Sequence, residues 1–321
     1  MRLSIIATAF LACIGGTACT SSSGIDGLGL SSETTSSIQR PAAPVADIAK
    51  PSRAAPAVAD QPQPEIDSAP VENALVAQER PAAAEAAYAN IVINERRFRD
   101  AKPINFGKAS PKNLAVHGVD ISRWQGDIDW QKLRGQGANF VYIKATDGGD
   151  HLDPMFHKNW KNAEKAGMKR GAYHFFYWCR TASEQADWFI RNVPKVKGAL
   201  PPVIDVEWNH TSRCKKRPSR ENVLEKMQVF MDKLEAHYGQ RPIIYTAPDF
   251  YADNLKGAFK NHPFWLRSVA AHPSKVYPGR DWVFWQYSGS GLSHGVEGRI
   301  DLNVFHGDEN AWRKWLARSA G

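Results

Sequence analysis

The chain has 321 residues, with 41 Lys or Arg against 33 Asp or Glu, and a formal net charge of +8. A positive charge of this size suits a polyanionic partner such as a cell wall, a nucleic acid or an anionic membrane. No stretch is long and apolar enough to span a bilayer, which disfavours a membrane-spanning protein. No nucleic-acid recognition motif of the usual types occurs, which disfavours a nucleic-acid-binding protein. The histidines lack H-x-x-x-H or H-E-x-x-H spacing, which disfavours a metal-dependent deacetylase or amidase. We therefore expect no metal and no cofactor.

Residues 1–18 have the layout of a signal peptide. A basic residue precedes the apolar run 3–14, which is too short to span a membrane, and small residues then lead to Cys19. This arrangement resembles a bacterial lipoprotein processing site, which implies that Cys19 becomes the lipidated first residue of an exported chain. Cys13 is a competing site, and simple cleavage after Ala18 is the alternative. By the same analogy, a Thr after the cysteine favours the outer membrane over other periplasmic or envelope locations.

Residues 19–109 are rich in Ala, Pro, Ser and Gln and contain few large apolar side chains. Such a composition cannot bury enough apolar surface to offset the entropy of ordering, so a disordered tether is predicted. About ninety flexible residues span on the order of 50 Å. Within this segment, residues 79–99 also have the composition to form a helix that packs on the domain.

Residues 110–321 are enough for one domain with a sizeable core. Eight apolar strand candidates lie at 115–122, 140–146, 170–178, 202–208, 242–246, 264–269, 282–287 and 299–305. Apolar spacing of 3.6 residues predicts helices at 154–166, 183–192 and 218–237, with Ser219 and Gly239 as start and stop signals. The last three strands are joined by loops rich in Gly, Ser and Pro. The pattern predicts an α/β fold, a modified TIM-like β/α barrel of eight strands with a helix-poor second half.

The most informative stretch of this domain is PPVIDVEW, residues 201–208. Side chains alternate between the faces of a strand, so Asp205 and Glu207 point the same way, about 7 Å apart along the chain. Burial of two like charges is costly and raises at least one pKa. Folds tolerate it mainly where one carboxylic acid donates a proton and a carboxylate stabilises positive charge. The alternative is a pair of strand-end acids in salt bridges with neighbouring Arg or Lys.

Two further acids are expected to join this pair. Asp120 lies near the end of the first strand candidate and Asp301 within the eighth. In β/α barrels the reacting groups come from the C-terminal ends of several strands, and the first and eighth strands are neighbours once the barrel closes. We therefore expect all four acids to meet at one mouth. Taken singly, Asp120 also suits a turn cap and Asp301 an ion pair with Arg299.

With these residues in place, the domain resembles glycoside hydrolase family 25, the Chalaropsis-type lysozymes or N-acetylmuramidases. The matching stretches follow in the order of that family: HGVDISRWQGDIDW, FVYIKATDGGDHLDPMF, GAYHFFYW, PPVIDVEW, PIIYT, FWQYSGSG and RIDLNVF. The resemblance implies that Glu207 is the general acid and that Asp205, Asp120 and Asp301 complete the catalytic acid cluster.

The resemblance also implies a sugar cleft lined by Tyr177, Tyr245, Trp285 and Gln286. Aromatic rings at a cleft stack on the C–H faces of sugars, whereas the alternative for Trp and Tyr in strands is core packing. Two departures concern this cleft. Asp147 stands where the family commonly has Glu, which bears on substrate binding, and FWLRSVAAHPS replaces a more usual ending similar to W-I-A-R-Y.

The function implied is hydrolysis of peptidoglycan, at the β-1,4 bond between N-acetylmuramic acid and N-acetylglucosamine, by carboxylate acid/base catalysis. The implied partners are peptidoglycan glycan strands and, through Cys19, a membrane; a monomer is expected. Two alternatives stay open. One is another barrel glycosidase, such as a chitinase-like enzyme, although the two further Asp residues of D-x-x-D-x-D-x-E are missing here. The other is a non-catalytic peptidoglycan-binding envelope lipoprotein.

Apart from Cys13 and Cys19, the chain has two cysteines, Cys179 and Cys214. They follow the third and fourth strand candidates, and both loops leave adjacent strands on the same face of the predicted barrel. An exported chain enters an oxidising compartment. We therefore expect a disulfide between Cys179 and Cys214 that ties two loops beside the cleft, with two unpaired thiols as the alternative.

Overall fold

The computed structural model describes residues 86–210 and 214–319. Its sheet contains ten strands: β1 (Arg99–Asp100), β2 (His117–Ile121), β3 (Phe140–Asp147), β4 (His151–Leu152), β5 (Lys169–Phe175), β6 (Val203–Val206), β7 (Ile243–Thr246), β8 (Phe264–Arg267), β9 (Phe284–Leu292) and β10 (Ile300–Phe305). Eight of them, β2, β3 and β5 to β10, close into a barrel because β8 also pairs with β9. The predicted fold class is confirmed, and each predicted strand overlaps a barrel strand.

One strand of the barrel runs against the others. β10 is antiparallel to both of its neighbours, β9 and β2, while the remaining neighbours pair in parallel. The carboxyl ends of the parallel strands therefore meet at one end of the barrel, here called the mouth, and the opposite end is called the base. Because β10 is reversed, its first residues, and not its last, lie at the mouth.

The three predicted helices are present as Phe156–Lys165, Ala182–Asn192 and Arg220–Tyr238. The third begins where the Ser219 side chain accepts a hydrogen bond from the backbone of Asn222, and it ends at Gly239, whose φ of 71° is readily adopted by glycine. Shorter helical segments that the sequence analysis did not identify are Trp130–Gly135, Pro248–Phe250 with the π-turn Tyr251–Leu255, and Pro273–Val276. The chain between β7 and β9 is thus poor in helix, as expected.

Side-chain alternation divides the core into two layers. Between the strands and the helices lies an outer apolar layer that includes Val141 and Ile143 of β3. Inside the barrel, Tyr142 packs on Trp265 with ring centroids 5.0 Å apart, and Phe140 packs on Phe284 at 4.8 Å. The interior nearer the base is therefore a floor of aromatic and branched side chains, beneath the polar residues of the mouth.

A C-terminal helix, Glu309–Ser319, covers the base of the barrel. Trp312 is fully buried there, with its ring centroid 5.6 Å from that of Phe140 and 5.0 Å from that of Phe305. This helix was missed in the sequence because it follows the last strand, where the barrel pattern requires no further element. It closes the apolar interior from solvent.

Residues 86–109, which composition places in the tether, contact the barrel in the structure. Asn94 exchanges backbone and side-chain hydrogen bonds with Asn139 at 2.7 and 3.0 Å, and Phe98 is 4 % exposed. β1 pairs with the C-terminal end of β9. A few apolar residues hold this segment against the barrel. The prediction missed them because it used the average composition of about ninety residues. The predicted signal peptide and residues 19–85 of the predicted tether lie outside the described residues.

Among the helices that the structure describes, none is long and apolar enough to cross a membrane.

Replacing Trp312 should lower the stability of the barrel. Trp312→Ala removes a buried ring from the base, and we expect a loss of about 3–5 kcal/mol in the free energy of unfolding. Trp312→Phe should cost much less, because it keeps the apolar contact and removes an indole N–H that has no hydrogen-bond partner among the described residues. Urea unfolding measures both variants. A loss of less than about 1 kcal/mol for Trp312→Ala would show that packing at the base does not limit stability.

Candidate active site

Four carboxylates converge at the mouth of the barrel. Asp205 lies in β6, Glu207 follows it directly after the strand, and Asp120 of β2 is the Cα partner of Asp301 on β10. All four residues are only 3–5 % exposed. The reversal of β10 is what brings Asp301, its second residue, to this end of the barrel. The predicted acid cluster is therefore assembled by the fold.

A hydrogen-bonded chain crosses the mouth and holds Asp120. Its Oδ1 accepts hydrogen bonds from Gln286 Nε2 at 2.9 Å and from Asn303 Nδ2 at 2.7 Å. Tyr245 donates its hydroxyl hydrogen to Gln286 Oε1 at 2.9 Å, and Trp265 donates its indole hydrogen to Asn303 Oδ1 at 2.8 Å. Both amides are thus fixed with their NH₂ groups towards the carboxylate, which orients Asp120 and stabilises its charge.

The electrostatics of the cluster favour protonation. Burial raises the pKa of Asp120 to about 6, with the charge of Glu207 adding to the rise and the two amide hydrogen bonds opposing it. Burial and the neighbouring Asp120 raise the pKa of Asp301 well above its usual range. Ionisation of either acid disfavours ionisation of its neighbours, so protonated and charged carboxyl groups coexist near neutral pH. General acid chemistry needs that combination.

Within residues 86–210 and 214–319, two buried cations lie near these acids, and the sequence analysis identified neither. Lys144 of β3 pairs with Asp147 at 2.6 Å, and both side chains are less than one-tenth exposed. Arg267, the last residue of β8, is 7 % exposed, and its charge opposes the pKa increases of Asp120 and Asp301. The alternation of side chains along a strand could have identified them. Lys144 lies two positions after the inward-facing Tyr142, and Arg267 lies two positions after the inward-facing Trp265.

Asn303 and Tyr173 are two further residues of the mouth that the sequence analysis missed. Asn303 shares a face of β10 with Asp301 at the i+2 position, which alternation alone would have indicated. Tyr173 of β5 has its pKa raised well above the usual range by burial and then by Asp120 and Asp205. Its hydroxyl therefore stays protonated and lies close to the acids.

The predicted cleft residues occupy different positions. Gln286 and Tyr245 are at the mouth, and Asp147 is at its edge, at the end of β3. Tyr177 follows β5 and is half-buried; its backbone exchanges hydrogen bonds with the Gln185 side chain at 2.8 and 3.0 Å. A Cβ at Gly148 would lie 2.6 Å from the ring of Tyr177, so the ring rests against backbone at the rim.

Trp285 does not line the cleft, contrary to expectation. It is fully buried in the outer layer, where its indole donates to the carbonyl of Ser268 at 2.8 Å and its ring contacts Phe106 at 5.0 Å. Its neighbours Phe284 and Gln286 take the inward positions of β9, so alternation turns Trp285 outwards. Trp178 is likewise core, 1 % exposed, and its indole donates to the backbone carbonyl of Glu207 at 2.9 Å.

The predicted disulfide is confirmed. Cys179 and Cys214 are bonded, with Cα atoms 5.6 Å apart and a sequence separation of 35. The bond ties the loop after β5, which carries Tyr177, to the loop after Glu207. In the chain-entropy model, closing a segment of this length contributes about 3–4 kcal/mol to stability.

Paired, buried carboxylates at one mouth of a barrel are the arrangement that glycoside hydrolases use to cleave a glycosidic bond. The sequence model of Glycosyl hydrolases family 25 matches residues 119–296, and the chain belongs to that family. Asp120, Asp205 and Glu207 lie inside the matched range, and Asp301 lies just beyond its end.

Relatives and solved structures agree with this assignment. A family 25 glycosyl hydrolase from Bacillus anthracis has 41% sequence identity and a TM-score of 0.61, covering 67% of this chain and 98% of its own. Lysozyme M1 of Streptomyces globisporus is 34% identical over 200 residues, which are 60% of this chain and 68% of that protein. The uncharacterized protein YegX of Escherichia coli K12 is 36% identical over 219 residues, which are 65% of this chain and 77% of that protein. An N,O-diacetylmuramidase of Chalaropsis sp. is 29% identical over 203 residues, 58% of this chain and 96% of its own.

The buried acids should make the protein less stable as the pH rises. A carboxyl group whose pKa is raised by folding keeps its proton between about pH 4 and pH 6 while the unfolded chain loses it, so stability falls across that window. Asp120→Asn removes the part of this dependence that comes from Asp120. We expect the variant to gain stability relative to the wild type from pH 4 to pH 7, by on the order of 2 kcal/mol.

Thermal or urea unfolding at both pH values measures this gain. The matched control is Asp281→Asn, since Asp281 is exposed, and its difference from the wild type should not change with pH. A gain for Asp120→Asn that is larger at pH 4 than at pH 7 would contradict the assignment.

Proposed function

We propose that this glycoside hydrolase cleaves the β-1,4 bond between N-acetylmuramic acid and N-acetylglucosamine in peptidoglycan. The observation that carries the proposal is the set of four nearly buried carboxylates at the mouth of a family 25 barrel. Relatives named as a lysozyme and as an N,O-diacetylmuramidase support the substrate class. The formal net charge of +8 suits an anionic wall polymer.

Glu207 is the proposed general acid. It stands just past the end of β6, one inward position nearer the mouth than Asp205, and so meets the leaving oxygen of a glycan laid across the barrel. Proton donation to that oxygen leaves oxocarbenium-like charge on the sugar carbon, which neighbouring carboxylates stabilise. Asp205 is the nearest along the chain, and Asp120 and Asp301 face it from β2 and β10. In this role Asp120 benefits from the two amide donors that stabilise its charged form.

The rim of the mouth supplies the proposed sugar contacts. The Tyr177 ring, half-buried against Gly148 at the rim, is the proposed aromatic contact for a sugar. Tyr245 and Gln286 use their polar atoms within the hydrogen-bonded chain and so present a preorganised surface below the sugar. Asp147, held by Lys144, supplies acceptor oxygens at the edge of β3.

Glu207→Gln should abolish cleavage without unfolding the domain. The amide keeps the size and hydrogen bonding of the side chain but cannot donate the proton, and general acid catalysis is worth about 10²- to 10⁴-fold in rate. Asp205→Asn should also be severe. Release of soluble fragments from purified peptidoglycan measures the rate, with the exposed Glu221→Gln as the matched control. Near-normal activity of Glu207→Gln would show that another group is the acid.

Analysis of the new reducing ends tests the bond that is cut. Muramic acid at the reducing end identifies a muramidase, whereas glucosamine ends would assign the other glycosidic bond and a different glycosidase. A purified domain that binds peptidoglycan but gives no clearing in an embedded-wall zymogram would support the binding-module alternative.

We also propose that the protein works in the cell envelope, anchored through a lipid on Cys19. The apolar run before small residues and a cysteine supports export and lipidation, and a wall substrate requires an exported enzyme. In this arrangement residues 19–85 connect the anchor to the barrel and give it reach towards the wall.

Replacing Cys19 with Ser should release the protein from the membrane fraction. Export continues because the apolar run is intact, so soluble periplasmic or secreted protein should appear while activity on isolated walls is unchanged. Membrane fractionation with radiolabelled fatty acid measures both anchoring and lipid attachment. The control is Cys13→Ser, which should leave the labelling in place. Labelling that persists in Cys19→Ser would show that another residue carries the lipid.

A further inference from the structure

Arg267 points into the barrel mouth. Two residues before it on β8, the ring of Trp265 packs inside the barrel on Tyr142 and Tyr245, with centroids 5.0 and 4.7 Å apart. Alternation turns Arg267 to the same side, one layer nearer the mouth. Its Cα partner on β9 is Gln286, whose side chain donates to Asp120. The guanidinium therefore lies in the layer of the reacting groups.

This guanidinium is nearly buried, yet nothing in the described chain pairs with it. Arg267 is 7 % exposed, and within residues 86–210 and 214–319 it makes no side-chain hydrogen bond and has no carboxylate oxygen within 4.0 Å. Arg170 provides a contrast: it is 9 % exposed, pairs with Glu164 at 2.8 Å and lies over the ring of Trp160. The charges of Asp120 and Asp301 compensate this cation in part, but donors without an acceptor among the described residues are still costly to a fold. The cost is offset when a ligand brings the acceptor.

The position of Arg267 suits a substituent of the sugar on which Glu207 acts. Only β7 separates β8 from β6, and neighbouring strands are about 4.8 Å apart, so the two backbones are separated by about 10 Å. By alternation from Tyr245, the inward position between them belongs to Ala247, whose buried side chain is a single methyl group. A sugar bound at Glu207 can therefore direct one of its substituents towards the guanidinium.

The chemistry of the site selects a carboxylate. A planar guanidinium matches the two oxygens of a carboxylate and binds them through paired hydrogen bonds. An anionic substituent that enters a mouth holding four carboxylates also needs a cation to offset their repulsion. Of the two buried cations that the described residues place at the mouth, Lys144 pairs with Asp147, whereas Arg267 makes no ion pair within those residues. In peptidoglycan the muramyl sugar carries a lactyl ether, which ends in a free carboxylate once the peptide stem is removed and in an amide while the stem is attached.

We propose that Arg267 binds the lactyl carboxylate of muramyl residues and so makes the enzyme selective for glycan strands stripped of their peptide stems. The inference rests on the proposed function, since it assumes a muramyl glycan. It assigns a role to the stretch FWLRSV, where the sequence departs from the family pattern. The class of reaction that supplies the substrate is amide hydrolysis between the lactyl group and the stem.

Three substrates distinguish this role from others. The first is stem-free glycan strands, the second is the same strands with the lactyl carboxyl groups converted to methylamides, and the third is strands that keep their stems. For wild-type enzyme we expect kcat/KM to be at least tenfold higher on the first than on the second. This comparison needs no variant, so a variant that fails to fold leaves the test intact. Equal kcat/KM on the first two would overturn the proposal.

Arg267→Gln should raise KM about 10- to 100-fold on the stem-free strands, the range for loss of a charge-assisted hydrogen bond. On the methylamide strands it should change KM less than about threefold, because no charge remains to be recognised. Arg267→Lys should recover part of the loss, since it restores the charge without the planar fork. The matched control Arg170→Gln, in the outer layer, should leave kcat/KM unchanged on all three substrates.

Other outcomes would give Arg267 a different role. An equal loss on the first two substrates, with the pH–rate profile displaced, would mean that Arg267 acts through the charges of Asp120 and Asp301. A loss confined to stem-bearing strands would make a stem carboxylate the ligand. If wild-type enzyme cleaves none of the three, the proposed function fails instead, and that result is distinct from both.

Discussion

The structure depends on holding four carboxylates close together in a nearly dry barrel mouth. Like charges at this spacing repel and resist desolvation, so the surrounding fold must supply the opposing free energy. Part comes from directed groups: the amides of Gln286 and Asn303 donate to Asp120, and the charge of Arg267 opposes the pKa increases of Asp120 and Asp301. Closure of the barrel over its apolar floor also contributes, because it fixes the backbones that carry the acids.

Support for the mouth extends through the molecule in layers. At the base, Trp312 seals the aromatic interior on which Trp265 and Tyr142 rest. Trp265 in turn fixes the amide of Asn303, so the packing of the floor determines the orientation of a group that touches Asp120. At the rim, Gln185 and the Cys179–Cys214 disulfide hold the loops beside Glu207. Four carboxylates that repel one another stay close together only in such rigid surroundings.

Much of the fold was predictable because eight of its strands are long enough to show a pattern. β1 and β4 have two residues each, which is too short for any periodicity, and both were missed. The C-terminal helix and the contacts of residues 86–109 were also missed, since their few apolar residues acquire meaning only against the base and side of a finished barrel. Among the site residues, the four acids were identified because two of them share one short motif, while Arg267 and Lys144 stood in strands that read as ordinary core.

The sequence by itself determined which side chains share a face: Asp205 with Glu207, Asp301 with Asn303, Phe284 with Gln286. It did not determine which face is inside, because strands of a β/α barrel are buried on both sides and both faces are largely apolar. Only the closed barrel turned Gln286 inwards and Trp285 outwards. Only the closed barrel reversed β10 and so paired Asp301 with Asp120 at the mouth. Strand direction and the inner face are properties of the closed sheet, since they are set by hydrogen bonds between strands distant in sequence.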